Sequence, residues 1–155
     1  MVFLFLRSMI TLDFSAMSIK LKQDEGKTFV FDPVRKKWLV LTPEEHVRQY
    51  ILVYLLEGMR YPTSLIAVEK KIWVGKRAKR FDIVVFDRDH HPWLLIECKE
   101  PEVIISEAAL QQLLAYHSTL SCRYWMLTNG HQTYCADATD KSDIKWMDAL
   151  PAYGT

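Results

Sequence analysis

The chain has 155 residues, half of them hydrophobic, enough apolar material for the core of one ordinary domain. Twenty lysines and arginines stand against 19 acids, and a net charge of +1 excludes a whole-molecule field that would by itself draw nucleic acid or a membrane. The three cysteines, Cys98, Cys122 and Cys135, form no CxxC pair, which argues against a disulfide scaffold and for a reducing, cytoplasmic setting.

The opening "MVFLFLRSMITLDFSA" imitates a secretory signal. Arg7 interrupts its apolar part, Asp13 follows it, and no basic region precedes it. No run approaches the roughly 20 apolar residues of a membrane helix. Residues 1–28 therefore read as an N-terminal extension, partly disordered or supplied by an upstream start codon, with Met17 the expected true start. Residues 29–155 read as a single domain. Within it, "FVFDPVRKKWLVL" predicts two short strands around an Asp32–Pro33 turn.

The first helix is expected at "TPEEHVRQYILVYLLEG". Thr42 suits the N-cap, Pro43 the first helical position and Glu45 the third, the T-x-x-E pattern of a capping box. Val47, Tyr50, Ile51, Tyr54 and Leu55 follow the spacing of a buried face, and Gly58 suits the stop. "SLIAVEKKIWV" then predicts a strand, broken by "GKRAK". Strands over Phe81–Phe86 and Trp93–Lys99 flank a polar turn that holds His90 and His91, read as exposed turn histidines. A second helix begins near Ser106 and runs through "EAALQQLLAYHSTL". "RYWMLTNGHQTYCA" reads as two strands about an Asn129–Gly130 turn. The order is helix, three strands, helix, two strands, which is one α/β domain.

Two features carry chemistry. Lys70, Lys71, Lys76, Arg77, Lys79 and Arg80 follow one another with no acid between them. Such a run is most often a solvated edge or loop, but beside a metal-type site it reads as a grip on phosphates. The second feature is the placing of Asp82, Glu97 and Lys99 in the most hydrophobic hairpin of the chain. With the turn centred between Asp89 and His90, Asp82 faces Glu97 and puts two carboxylates side by side, with Lys99 one step beyond. Like charges opposed in a sheet are destabilising, and a hard divalent cation reverses that sign. The competing reading is a shifted register that leaves Glu97 and Lys99 as an exposed pair at a strand end. A zinc site from Cys122, His131 and Cys135 is the weakest candidate, because no ligand-pair spacing supports it.

Asp82, then Glu97-Cys98-Lys99 on the next strand, then "QLLAY" on the following helix, together resemble the PD-(D/E)XK nuclease superfamily. More narrowly, "FDPVRKKWLVLTPEEHVRQY", "FDIVVFDRDHHPWLLIECKEPE" and "TNGHQTYC" look like stand-alone relatives of the N-terminal nuclease domain of type I restriction enzyme R subunits. The likeness runs from about Phe29 to Tyr153. It implies a restriction-endonuclease-like αβββαβ core, with a mixed central sheet flanked by helices. It also implies Mg²⁺ (or Mn²⁺) held by Asp82, Glu97 and the backbone carbonyl of Cys98, with Lys99 serving the attacking water. Gln112 and Tyr116 match the helix motif and would position DNA or the lysine. Phe81 stands where the proline that names the motif would be. Many relatives carry a glutamate on the first helix near the metal; Glu45 is the candidate, although its place as a helix cap explains it as well.

The activity so implied is a metal-dependent deoxyribonuclease, an endonuclease of restriction, defence or repair. Its partners would be DNA and a separate ATP-dependent translocase or modification subunit, and self-association is compatible with it. The five glycines form no G-x-x-x-x-G-K-[ST] loop, so the sequence itself holds no translocation motor. The rival reading is a non-catalytic nucleic-acid-binding or assembly module that keeps the fold. A third is a nuclease of another substrate class, a junction resolvase or an RNA enzyme.

Overall fold

A computed structural model describes residues 9–155; the first half of the signal-like stretch, residues 1–8, lies outside the described residues. Residues 9–28, read from sequence as an extension, contribute to both sheets of the fold. Strand β1 (Met9–Ile10) joins the large sheet, and β2 (Leu21–Asp24) pairs antiparallel with β3 (Lys27–Asp32). Ile10 and Leu12 are buried in the core, so this segment holds apolar surface that water would otherwise meet.

Strand β4 (Lys37–Val40) completes a small antiparallel sheet with β2 and β3. The Asp32–Pro33 turn is where the sequence places it. Asp32 is fully buried, and its Oδ1 accepts the backbone N–H groups of Val34 (2.8 Å) and Arg35 (2.7 Å). An aspartate that mimics a backbone turn in this way fixes the chain direction.

Helix α1 (Pro43–Val53) starts as expected, with Thr42 Oγ1 accepting from Glu45 N at 3.1 Å. It does not stop as expected. A single π turn extends it over Tyr54–Gly58, and the left-handed residue beyond it is Arg60, at φ 59°, not a glycine. Gly58 serves close packing instead, since a Cβ there would stand 3.0 Å from Cε of Met17. The helix is buried on two sides because it lies between β3 of the small sheet and β7 of the large one. Hence Gln49, Leu52 and Val53 are buried along with the predicted stripe of Val47, Ile51 and Leu55.

Among the described residues the large mixed sheet has seven strands, and its main path runs β1-β9-β8-β7-β6-β5. Strands β5 (Ile66–Val74) and β6 (Arg77–Phe86) form one long hairpin with a two-residue turn at Gly75–Lys76. Gly75 takes φ +62°, the conformation a glycine-first hairpin turn requires. The sequence "GKRAK" is therefore no loop; Arg77 and Lys79 belong to the paired strand.

Strand β7 (Pro92–Cys98) pairs with β6 in the register deduced from the sequence, Ile83 with Ile96, Val84 with Leu95 and Val85 with Leu94. A bulge between Val85 and Phe86 shortens the turn end by one step. After β7, helix α2 (Glu107–Tyr116) is capped by Ser106 and returns the chain to β8 (Tyr124–Thr128), which lies parallel to β7. The helix ends at Tyr116, four residues before Leu120, the end predicted for it. Strand β9 (Thr133–Asp137) follows the Asn129–Gly130 turn. An unforeseen β10 (Lys145–Met147) shares the outer edge of β9 with β1.

The succession α1-β5-β6-β7-α2-β8 is the αβββαβ order expected from the sequence. Alternating strand residues feed two cores. Ile83, Val85, Leu94 and Ile96 pack on the α1 side, and Val84 and Leu95 pack with Leu110 and Trp125 on the α2 side. No helix among the described residues is long and apolar enough to cross a membrane.

Candidate active site

Strands β6 and β7 part where their sequences turn acidic. The ladder ends at Ile83–Ile96, and side chains replace the missing backbone partners. Asp82 N donates to Glu97 Oε1 at 3.3 Å, and Cys98 N donates to Asp82 Oδ2 at 2.8 Å. The same point breaks the alternation of β6. Regular pleating would put Phe81 and Ile83 on one face, yet they lie in opposite cores. On β5, Glu69 faces this break with φ 51°, a strained value for a residue with a Cβ.

The slip corrects the expected picture of two carboxylates side by side on one face. Glu97 and Lys99 line a cleft of about 420 Å³ with Gln112 and Tyr116 of α2. Asp82 turns to α1, where Arg48 Nη2 donates to its Oδ1 at 2.8 Å. The two acids meet only across the gap between the strands. Tyr116 is 72% exposed, which removes it from the core, and Lys79 Nζ lies 4.2 Å from its ring centroid.

Arg48 is nearly buried and also holds Glu45 (2.7 Å) and Glu44 (3.1 Å). Arg35, anchored by Asp32 at 2.8 Å, reaches Glu69 at 2.8 Å and Glu45 at 3.4 Å. Gln49 Nε2 bridges Asp32 and Glu45 from within the helix. Five carboxylates, those of Asp32, Glu44, Glu45, Glu69 and Asp82, thus share two guanidiniums. The excess negative charge has consequences for the neighbouring acids. Burial and then the charge of Asp82 push the Glu97 carboxyl up to about 7, and burial with Asp82 raises Glu44 as well.

Glu45, the sequence candidate, is thus an anchor for Arg35, Arg48 and Gln49 as well as the third residue of the helix. Its neighbour Glu44 is the residue that feels Asp82 and Lys99. Sequence reading passed over Glu44, Arg48, Arg35 and Glu69. The available signal was Arg48 itself, an arginine one residue from Val47 and four from Leu52 on a buried helix, which must have partners.

The donors suit a hard divalent cation in kind, since oxygen ligands with surplus negative charge are what such an ion takes. The arrangement is more open: among the described residues no three His, Cys, Asp or Glu side chains stand close enough to cage an ion. Arg48 holds one oxygen of Asp82 in its place. The weak zinc candidate fails on geometry, because Cys122 and Cys135 lie in opposite cores, each thiol pushed up to about 12 by burial. His90 and His91 are exposed in the turn.

The basic run occupies both faces of the β5–β6 hairpin. Trp73–Ala78 and Lys71–Arg80 pair in alternation with Val74–Arg77, Ile72–Lys79 and Lys70–Phe81, with Lys76 in the turn. Because β5 is a sheet edge, its lysines also discourage another strand from adding there.

A family model described as the type I restriction enzyme R protein N terminus covers residues 43–151, from the start of α1 to past β10. No curated protein sequence matches the chain.

Proposed function

We propose, from the premise that the chain belongs to the type I restriction enzyme R protein N-terminal family, that it is a divalent-metal-dependent nuclease of the PD-(D/E)XK type acting on DNA. The observation that carries this reading is the parting of β6 and β7. It leaves Asp82 and Glu97 facing across a gap, with Glu97 and Lys99 open to a cleft. A structural pair would close the ladder and bury apolar residues there; this chain opens it and crowds anions.

Asp82, Glu97 and the carbonyl of Cys98 would hold Mg²⁺ or Mn²⁺, with Glu44, not Glu45, as the first-helix acid beside them. When bound, the ion would offset the charge on the phosphoryl group and favour hydroxide over water. The remaining steps belong to the chain. Glu97 must lose its proton to serve as a ligand, so activity rises through the range around 7. Lys99, in the same cleft, donates to a non-bridging phosphoryl oxygen or holds the water that attacks phosphorus as the P–O bond to the leaving strand breaks. Gln112 and Tyr116 line the strand's path and position it. The partners would be DNA and a separate translocating or modifying subunit, in the cytoplasm.

Arg48 supports a second reading. A guanidinium already neutralises Asp82, so the cluster can stand as a structural lattice in a binding module that keeps the fold. One experiment separates the two. Calorimetric titration with Mg²⁺ or Mn²⁺ and nicking of plasmid DNA are both expected in the wild type and both lost in Asp82→Ala. DNA binding by a wild-type chain that neither takes up metal nor nicks DNA would favour the module.

A further inference from the structure

The β5–β6 hairpin carries a second feature that the proposed chemistry does not use. Trp73 is 66% exposed although indole is among the side chains that gain most from burial. Its cross-strand partner is Ala78, which sets only a methyl group opposite the indole. No aromatic ring among the described residues packs against it. The next pair back along the same face is Lys71–Arg80, and then comes Asp82. Among the described residues, neither Lys71 nor Arg80 has an acidic partner, so both charges are free for a polyanion.

The geometry points to Trp73 as a base-stacking platform that makes single-stranded DNA, or an unpaired segment of a duplex, the preferred substrate; this rests on the nuclease reading for the site itself. From Ala78 to Asp82 is four residues of strand, about 13 Å at roughly 3.3 Å per residue. That distance lies well within the roughly 4–16 nucleotides that such grooves cover. A base stacked on Trp73 thus sends its backbone past Lys71 and Arg80 to the Asp82 side of the gap between β6 and β7, the face turned to α1 and opposite the Glu97–Lys99 cleft. The combination of a cationic track with an open aromatic face is the chemistry of single-strand binding. A stacked duplex offers no free base face to a ring on a sheet surface.

The test is anisotropy of labelled oligonucleotides, single-stranded and duplex of one sequence, without metal and in an Asp82→Ala background so that cleavage plays no part. Trp73→Ala is expected to weaken single-strand binding by about 5- to 150-fold, the loss of one stacked base, while Trp73→Phe restores most of it. Duplex affinity should change less than about twofold. Thermal unfolding of Trp73→Ala should match the parent, as expected for an exposed side chain. Equal losses on both DNAs, or none on the single strand, would overturn the stacking role and leave the nuclease reading standing. A change of oligomeric state with Trp73→Ala and unaltered DNA binding would overturn it too, in favour of a contact between copies. If the parent binds neither DNA, the stacking role falls, whereas the nuclease reading falls only if the wild type neither binds metal nor nicks DNA.

Discussion

Arg48 Nη2 donates to Asp82 Oδ1 across 2.8 Å, joining the first helix to the strand at the point where the large sheet opens. The same guanidinium holds Glu44 and Glu45, so one buried cation sets the positions of three acids on two elements. Removing a partner from such a pair leaves an uncompensated buried charge. Arg48→Ala is expected to cost about 3–5 kcal/mol, read as a lower urea midpoint. Arg48→Ala in an Asp82→Asn, Glu45→Gln background should cost clearly less, because the stranded charges are gone.

The two adjacent glutamates of α1 should separate by readout. Glu45 holds Arg35, Arg48 and Gln49, whereas Glu44 feels Asp82 and Lys99. Glu45→Gln is expected to lower stability by about 1–3 kcal/mol, with folded-state nicking at low temperature little changed. Glu44→Gln should do the reverse, leaving the urea midpoint nearly unmoved and lowering nicking at least tenfold. The opposite assignment would restore Glu45 as the first-helix acid of the site.

Neutralising Lys76, Arg77 and Lys79 to glutamine should reduce the salt slope of duplex binding by about 2–3, at about 0.9 for each phosphate that is no longer neutralised. An unchanged slope would leave these residues as solvated charges of the hairpin. The stacking test on Trp73 is independent of this one, because stacking carries little salt dependence.

Removing residues 1–16, the start expected at Met17, deletes β1 and with it buried Ile10 and Leu12 and the Phe14 ring that packs on Tyr50 and Tyr54. Two buried aliphatic side chains are worth about 3–6 kcal/mol together. A shortened chain that unfolds at the same urea concentration would show that this segment is dispensable.

The hairpin register was legible because its arithmetic depends only on where the turn lies, and Ile83–Ile96 bears it out. The caps at Thr42 and Ser106 were legible for a similar reason, being local chemistry. What escaped was set by distant contacts. The slip at Asp82 needs Glu69 from one strand and Arg48 from the helix, and neither spacing announces the other. The two-sided burial of α1 needs the small sheet, whose first strand lay in a segment read as an extension. For the same reason the first-helix acid named from sequence was Glu45, the cap residue. The cap position is visible in a string of letters, while the burial of Glu44 and the charge of Asp82 that act on it are not.

Glu97 supplies a pH signature that ties stability to metal. Its carboxyl, at 4.5 when free, is held at about 7 in the fold, first by burial and then by the charge of Asp82. Between those values the folded chain holds a proton that the unfolded chain has released. Stability is therefore complete below about 4.5 and declines as pH rises to about 7, with no further loss from this group above it. Glu97→Gln should flatten that decline and raise metal-free stability at pH 8 by about 1–3 kcal/mol, seen as a higher urea midpoint. In the proposed nuclease a bound ion expels that proton. Mg²⁺ affinity should then tighten as pH rises through about 7, and the calorimetric heat at pH 6 should vary with the ionisation heat of the buffer, as expected for release of one proton. A decline in stability that persists in Glu97→Gln would assign the titration to another acid. Binding heats independent of buffer at pH 6 would mean that Glu97 is not a ligand.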